Sequence, residues 1–249
     1  DETCYFEPGA GYLHPETCID VQLQAAARLG ATLQFDSRVE AVVPDGAGVR
    51  IETSTGHVHA AHAIVAAGSW SGNFAGAALR RNLKVFRQLL HWLPVTAPQH
   101  FAADAAPVFI WSYGTDAEDQ FYGFPPLAGS GAMKCATETY HAAIHPDSDW
   151  QQVAIHEAGD FYARHVAGRV NGVGATALRS QACIYTVTPD CDFVIDAVGE
   201  APVTLVSACS GHGFKHSAAI GEALAQQLCN RPTTVDLGRF SARRFAPTP

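Results

Sequence analysis

Two lysines lie where a positive charge could take part in chemistry. Lys134 is embedded in the apolar run Ala-Met-Lys-Cys-Ala, and a lysine is costly to bury unless it has a partner or a task. Lys215 ends the segment Gly-His-Gly-Phe-Lys between an apolar strand and a helix. Backbone amides at such a helix start, together with an ammonium, favour a group that gains negative charge. The ordinary alternatives are a solvated strand lysine and a solvated lysine at a helix start.

Cysteine and histidine residues give no sign of a metal site. The seven cysteines contain no CxxC pair, and their odd number fits a reducing, cytoplasmic compartment better than a disulfide framework. The twelve histidines contain no HExxH motif. His212 and His216 are four residues apart, which predicts two neighbours on one face of a helix start. We therefore expect no metal.

Composition excludes two classes of function. The net charge is −8, charged residues make up 16% of the chain, and no run of Lys and Arg occurs, so nucleic acid is not an expected partner. No apolar stretch is long enough to span a membrane, and the N-terminal residues lack the features of a signal peptide. The 47% hydrophobic content is sufficient for a sizeable core.

The elements that would position these lysines follow from hydrophobic periodicity. The N-terminus and residues 31–35 have the pattern of strands, and residues 16–29 have that of an amphipathic helix ending at Gly30. Turns at Asp45-Gly46 and Thr55-Gly56 predict a three-stranded meander. Residues 62–68 predict a buried parallel strand whose end could leave room for a cofactor.

A second group of strands lies in the middle of the chain. Aromatic-rich runs at 86–93, 107–113, 120–125 and 131–137 predict a separate antiparallel sheet. A helix is expected over 148–166, followed by strands that return to an apolar strand at 203–208 and a helix at 217–228. We expect no glycine-rich GxGxxG loop of the kind that cradles a pyrophosphate in this sequence. Gly172-Val-Gly174 follows a helix instead of a strand.

An ordered set of segments resembles the monomeric sarcosine oxidase and N-methyltryptophan oxidase family. They are Phe6–Leu13, Arg38–Glu40, Ile64–Trp70, Phe86–Gln88, Tyr122–Pro125, Met133–Lys134, Cys183–Asp196 and Ser210–Lys215. The resemblance implies an α/β (α+β) fold. In it, an incomplete Rossmann-like FAD-binding domain (14–74 and 178–249) holds an inserted mixed or antiparallel-sheet substrate domain (1–13 and 75–177). Family members also begin with a GxGxxG segment, which we expect to be missing here and to be a candidate partner.

The resemblance implies FAD as the cofactor. In the family, a cysteine at the position of Cys183 joins the flavin through a thioether, whereas a lone cysteine is more often a small buried hydrophobe. Cys191 is the local competitor for this bond. The other residues expected to bind the cofactor are Val39, Ala67, Gly68, Trp70, Gly211, Gly213, Phe214 and Lys215.

The same resemblance implies the catalytic residues Lys134, Lys215, Tyr122, Glu138 and His212. Lys134 matches the lysine that activates O2 beside the flavin, and Lys215 matches a contact to the substrate carboxylate. Tyr122 matches a tyrosine of the substrate pocket. Glu138 stands where sarcosine-specific members have histidine, so we expect either a substrate with an additional cationic group or altered binding of the amine, and sarcosine itself is not the expected substrate.

The hypothesis from the sequence is a flavin oxidase of a secondary or primary amino acid or amine. It would oxidise the C–N bond to an imine and reduce O2 to H2O2. One alternative is a dehydrogenase of the same fold that passes electrons to another acceptor, although Lys134 argues against it. Another is a truncated, non-catalytic remnant or subunit that binds a partner.

Overall fold

The computed structural model describes residues 3–102, 105–127 and 129–246, and backbone contacts divide the chain into two units. Unit 1 contains the N-terminal residues through His14, Arg87–His141 and Ser148–Cys183. Unit 2 contains Pro15–Phe86, Ala142–Asp147 and the residues from Ile184 onward. The predicted mixed α/β class is confirmed. The assignment of FAD-binding and substrate domains stays a prediction, and its ends at 1–2 and 247–249 lie outside the described residues.

Unit 1 is built on one large sheet with the strand order β10-β5-β8-β7-β6. Its strands are β5 (Lys84–Pro94), β6 (Phe109–Ser112), β7 (Gln120–Phe124), β8 (Ala132–Ala136) and β10 (Arg179–Val187). The pairs β5–β8, β7–β8 and β6–β7 are antiparallel, as the aromatic-rich runs predicted. The division between the units falls within β5, after Phe86, and within β10, after Cys183.

One face of this sheet carries the core of unit 1. Leu93, Phe121, Met133 and Cys135 are fully buried there and pack with Phe161. Because successive side chains of a strand point to opposite faces, the residues between them lie on the other face of the sheet. The chemistry expected of Lys134 therefore belongs to the face opposite the core.

The helix predicted over 148–166 forms only in its second half. Helix α3 covers Ile155–Phe161 and continues as a π-helical turn, Tyr162–Val166. The guanidinium of Arg87 donates hydrogen bonds to the carbonyl oxygens of Trp150 and Gln152. These carbonyls are therefore used by a side chain of β5, and the segment before α3 is not helical.

Unit 2 contains two three-stranded sheets and most of the helical residues. The antiparallel meander β1-β2-β3 is confirmed, and in the second sheet, β11-β12-β4, strand β4 is parallel to β12. The strands of the meander are β1 (Val39–Asp45), β2 (Gly48–Thr53) and β3 (Gly56–Ala60), and those of the second sheet are β4 (Ala63–Val65), β11 (Val194–Ala197) and β12 (Val203–Ser207). Unit 2 also contains β9 (Ala143–Ile144), which pairs with β5. Its α-helices are α1 (Pro15–Arg28), α2 (Ala77–Arg80) and α4 (Ser217–Leu228).

Two strands predicted from the sequence are wrong within the described residues. Residues 3–14 and 31–35 have no strand pairing, and the side chains of Phe6 and Phe35 are 66% and 69% exposed. A strand requires a neighbour to pair with its backbone, and alternation in the sequence does not supply one.

The core of unit 2 lies on both faces of the β11-β12-β4 sheet. Val65, Val194 and Leu205 pack on the meander residue Val49, whereas Phe193 and Ile195 pack on α4. This arrangement fixes the end of β12, from which the chain turns through residues 208–213 into α4. None of the helices among the described residues has the length and apolarity needed to cross a membrane.

Candidate functional site

Lys134 occupies the middle of β8, on the face of the large sheet opposite the core. Its neighbours Met133 and Cys135 are fully buried, and Lys134 itself is half-buried. Its register partners are Trp92 on β5 and Phe124 on β7. The Nζ atom lies 5.6 Å from the centroid of the Trp92 ring and 5.3 Å from that of Phe124. Such cation–π contacts stabilise by about 0.5–1 kcal/mol when exposed and about 2 kcal/mol when desolvated.

Other predicted site residues share this face. Tyr122 follows the core residue Phe121 on β7 and contacts Phe124 edge to face, with ring centroids 6.1 Å apart. On β10 the Arg179 guanidinium lies 4.7 Å from the Trp92 ring centroid, whereas Ser180 bonds His91 on the core side. Cys183 is four residues after Arg179 and so has the same orientation. Lys134, Tyr122 and Cys183 therefore project from one face of unit 1.

Glu138 lies just beyond the end of β8 and is half-buried. Its carboxylate accepts a hydrogen bond of 2.8 Å from the Tyr140 hydroxyl. The neighbouring segment is held by Gln88, whose side chain donates to the Thr139 carbonyl at 2.7 Å and accepts from the Thr139 amide at 3.0 Å. The carboxylate is thus placed by a fixed backbone, as a group that selects a substrate must be.

The core face beneath these residues carries two buried histidines. His91 and His165 both pack against the Phe161 ring, at centroid distances of 4.9 and 5.0 Å. Burial lowers the pKa of His91, and burial with the charges of Arg164 and Arg169 lowers the pKa of His165 to about 4. Both are neutral at pH 7 and belong to the core. Burial also raises the pKa of the Cys135 thiol to about 12, so this cysteine is chemically inert.

In unit 2, the strand β4 leads into the predicted cofactor-binding residues Ala67, Gly68 and Trp70. Gly68 has a φ of +52°, a conformation that favours glycine, and it begins a short 3₁₀ helix, Gly68–Asn73. The Trp70 indole donates a 2.7 Å hydrogen bond to Asp147. Val39, also predicted to bind the cofactor, begins β1 opposite Thr53 and is 39% exposed.

The segment Gly211–Lys215 forms the predicted turn between β12 and a helix. Residues Phe214–His216 form a 3₁₀ turn that continues into α4. A Cβ atom at Gly213 would lie 1.8 Å from the Ala208 carbonyl oxygen, so only glycine fits there. Gly211 has a φ of +79°. The Lys215 ammonium donates to the His212 carbonyl at 3.2 Å and is exposed.

A neighbouring loop, residues 188–193, holds this turn in place. The Cys191 carbonyl contacts His212 Nε2 at 3.0 Å, and the His212 ring lies 4.8 Å from that of Phe193. The Asp192 carbonyl accepts from the Ser210 hydroxyl at 3.1 Å. These contacts give His212 a structural role in the turn, and its predicted catalytic role stays a prediction. Cys191, with a φ of +55°, closes a turn in this loop, where its amide donates to the Thr188 carbonyl at 3.0 Å.

The loop itself is anchored by the C-terminal residues of unit 2. Arg244 donates to the Asp190 carboxylate at 2.6 Å and to the Phe193 carbonyl at 2.7 Å. The hydrogen bond from Arg244 holds the pKa of Asp190 well below its usual range. Arg239 pairs with Asp192 at 2.7 Å. The sequence reasoning missed these residues, because their partners lie far away along the chain.

Trp92, Phe124 and Arg179 were also missed as site residues. A strand pattern identifies the face of each strand, but cross-strand neighbours depend on the register.

The segment Gly172-Val-Gly174, whose glycine spacing resembles that of a pyrophosphate loop, lies in a loop against Pro94–Thr96, with Gly174 donating to the Pro94 carbonyl at 2.8 Å. Across the described ranges, no group of three or more His, Cys, Asp or Glu side chains could hold a metal ion.

Comparison with known proteins identifies a family and two kinds of relative. The sequence model of the DAO family, described as FAD dependent oxidoreductase, matches residues 2–227. Monomeric sarcosine oxidase of Streptomyces avermitilis is 31% identical, over 100% of this chain and 65% of that protein. N-methyl-L-tryptophan oxidase of Yersinia pestis strain Pestoides F is 30% identical, over 96% of this chain and 63% of that protein. The chain thus spans less than two-thirds of the length of these relatives.

Solved structures show the same fold at low sequence identity. NikD, described as an unusual amino acid oxidase essential for nikkomycin biosynthesis, matches with a TM-score of 0.72 and 18% identity. The match covers 91% of this chain and 59% of NikD. L-proline dehydrogenase from P. horikoshii matches with a TM-score of 0.71 and 17% identity, over 93% of this chain and 59% of that structure.

Proposed function

We propose that this chain, which belongs to the DAO family of FAD dependent oxidoreductases, takes part in the oxidation of the C–N bond of a secondary or primary amino acid. The products would be an imine and, with O2 as the electron acceptor, H2O2. The observation that carries the proposal is that Lys134, Tyr122 and Cys183 project from one face of the large sheet. The names of the two relatives, an oxidase of sarcosine and one of N-methyl-L-tryptophan, support an N-methylated amino acid as the substrate class.

The residues of unit 2 fit a flat cofactor that approaches the backbone closely. Gly213 packs against the Ala208 carbonyl and so fixes the turn, whereas a Cβ atom at Gly68 would meet nothing within 4 Å, and Gly68 and Gly211 adopt left-handed conformations in the segments that follow β4 and β12. We infer that Val39, Ala67, Gly68, Trp70 and the segment Gly211–Lys215 would hold FAD. When bound, FAD would accept a hydride equivalent from the substrate and return the electrons to O2.

Each polar side chain then has a stated task. Lys134 would place a positive charge where negative charge develops on oxygen, and the Lys215 ammonium would bind the substrate carboxylate. Tyr122 would line the substrate pocket, with His212 holding the turn that carries Lys215. Glu138 would favour a substrate with an additional cationic group, because a carboxylate attracts it.

Cys183 would carry the covalent bond to the flavin. Its place on the face that also carries Lys134 and Tyr122 supports this role over that of a core cysteine. Acid precipitation of the holoprotein tests the proposal. The yellow colour should stay in the pellet, and in a Cys183→Ser variant it should move to the supernatant. Cys191→Ser is the matched control and should retain the colour in the pellet. Complete release of flavin from the unmodified protein would contradict the covalent bond.

The oxidase activity is tested by anaerobic mixing of the holoprotein with sarcosine and with other N-methylated amino acids. Substrate should bleach the flavin absorbance, and oxygen should restore it with formation of H2O2. Bleaching without recovery in oxygen would point to the dehydrogenase alternative. A protein that binds no flavin would contradict the proposal.

A further inference from the structure

Two aromatic rings flank the Lys134 ammonium from the neighbouring strands. Trp92 and Phe124 are its direct register partners on β5 and β7. Directly opposed residues of antiparallel strands have Cβ atoms about 5 Å apart, so both rings can reach the same ammonium. Within the described residues, neither an Asp nor a Glu side chain forms an ion pair with Lys134. Among the residues that the structure describes, the charge is therefore attracted by ring faces and is not neutralised by a counter-ion.

The rings themselves are held in place by further contacts. The Arg179 guanidinium lies 4.7 Å from the Trp92 ring centroid. Tyr12 and Tyr122 each meet the Phe124 ring edge to face, with centroids 6.1 Å apart. Arg179 and Lys134 against one indole concentrate positive charge on this face, an arrangement that repels further cations and attracts an anion.

We propose that Trp92 and Phe124 are positioning residues, which hold the Lys134 ammonium at one place on the sheet face while leaving its charge uncompensated. The functional consequence rests on the proposed role of Lys134 in the oxygen step. A salt bridge would hold the amine equally well but would cancel its charge. In free solvent the flexible side chain would move, and water would screen the charge. Two ring faces avoid both effects.

The chain offers a direct structural test because it contains three lysines, Lys84, Lys134 and Lys215. NMR spectra of lysine-labelled holoprotein should show the Lys134 ε-methylene signal shifted upfield by the two rings, relative to the exposed Lys84 and Lys215. Trp92→Leu and Phe124→Leu should each move that signal toward the other two. Trp111→Leu, which removes an indole from the core face of the same sheet, is the matched control and should leave it unchanged. An unshifted Lys134 signal in the unmodified protein would overturn the proposal.

The functional arm measures the two half-reactions of the flavin separately. Trp92→Leu and Phe124→Leu should slow reoxidation by oxygen about tenfold, equivalent to about 1.4 kcal/mol, and change reduction by substrate less than about twofold. Trp92→Phe, which retains a ring face, should recover most of the rate. Slowing of both half-reactions alike, or failure of Trp92→Phe to recover the rate, would overturn the positioning role. If Lys134→Met leaves reoxidation unchanged while the NMR shift is present, the oxygen role of Lys134 fails and the ring contact stands.

Discussion

Lys134 and Lys215 carry the same charge but are held in contrasting ways. Lys134 lies between rings contributed by two other strands, whereas Lys215 donates to a carbonyl three residues away in its own turn. The first environment depends on the register of a whole sheet, and the second on a local backbone conformation. A cation fixed by tertiary contacts can remain half-buried without a counter-ion. A cation fixed by a turn stays exposed, and the turn alone must orient it.

The local scaffold of Lys215 can be broken by one methyl group. Gly213→Ala would place a Cβ atom 1.8 Å from the Ala208 carbonyl oxygen, so we expect the free energy of unfolding to fall by about 3 kcal/mol or more. Urea unfolding measures this. The control is Gly221→Ala within α4, where the added Cβ atom would meet nothing within 4 Å beyond its own stretch of helix, and the free energy of unfolding should rise by up to about 1 kcal/mol. Equal free energies of unfolding for the two variants would show that the turn can accommodate a Cβ atom at residue 213, contrary to this prediction.

Removing the charge of the other lysine should affect one chemical step. In Lys134→Met the reoxidation of the flavin should slow at least about a hundredfold, while reduction by substrate changes little. Stopped-flow spectra follow the two half-reactions separately. Lys84→Met, which removes an exposed charge at the start of β5, should leave both rates unchanged. Equal slowing of reduction and reoxidation would assign Lys134 to substrate binding or to folding.

The two units should also differ in their response to acid. The His165 pKa is about 4 in the fold and about 6.5 when unfolded, so the unfolded chain takes up the proton first and stability falls as the pH drops through this window. Between pH 7 and pH 5, His165 should lower the free energy of unfolding of unit 1 by about 2 kcal/mol. Asp190 of unit 2 has a lowered pKa, so its contribution is retained in that window and lost only at lower pH.

Hydrogen exchange at each pH, corrected for intrinsic rates, resolves the units. Between pH 7 and pH 5 protection should fall further in the segments of unit 1 than around Asp190 and Arg244, where the lowered pKa of the exposed His216 contributes a smaller loss. His165→Phe should lack the part of this pH dependence that His165 contributes, because phenylalanine takes up no proton, and the smaller part from His91, whose pKa is also lowered by burial, should remain. Uniform loss of protection in both units would contradict the assignment to His165.

The smallest effect is expected at Lys215. Because this ammonium is exposed, Lys215→Met should raise KM for a carboxylate-containing substrate about tenfold, without slowing flavin reoxidation. Lys215→Arg retains the charge and should lie closer to the unmodified enzyme. Steady-state kinetics with the N-methylated amino acid that reduces the flavin fastest measures both variants. A KM unchanged in Lys215→Met would return this residue to the ordinary role of a solvated lysine at a helix start.

Several elements could be predicted because their signals are local. The helix Ser217–Leu228, the meander with its glycine turns and the turn Gly211–Lys215 were all predicted, since periodicity and glycine positions act over a few residues. Predictions failed where an element depended on a distant partner. Residues 31–35 lack a pairing strand, and the non-helical segment before α3 uses its carbonyls to accept hydrogen bonds from Arg87.

The sequence alone determined the family, the mixed α/β class and the residue types of the candidate site, because ordered motifs retain them. It also indicated that Lys134 is costly to bury. Only the tertiary structure decided that Trp92 and Phe124 flank this lysine and that Cys183 shares its face. The reason is that strand register follows from how the whole core face packs, with Leu93, Met133 and Phe121 filling one layer. Residues on the opposite face acquire their neighbours as a consequence of that packing.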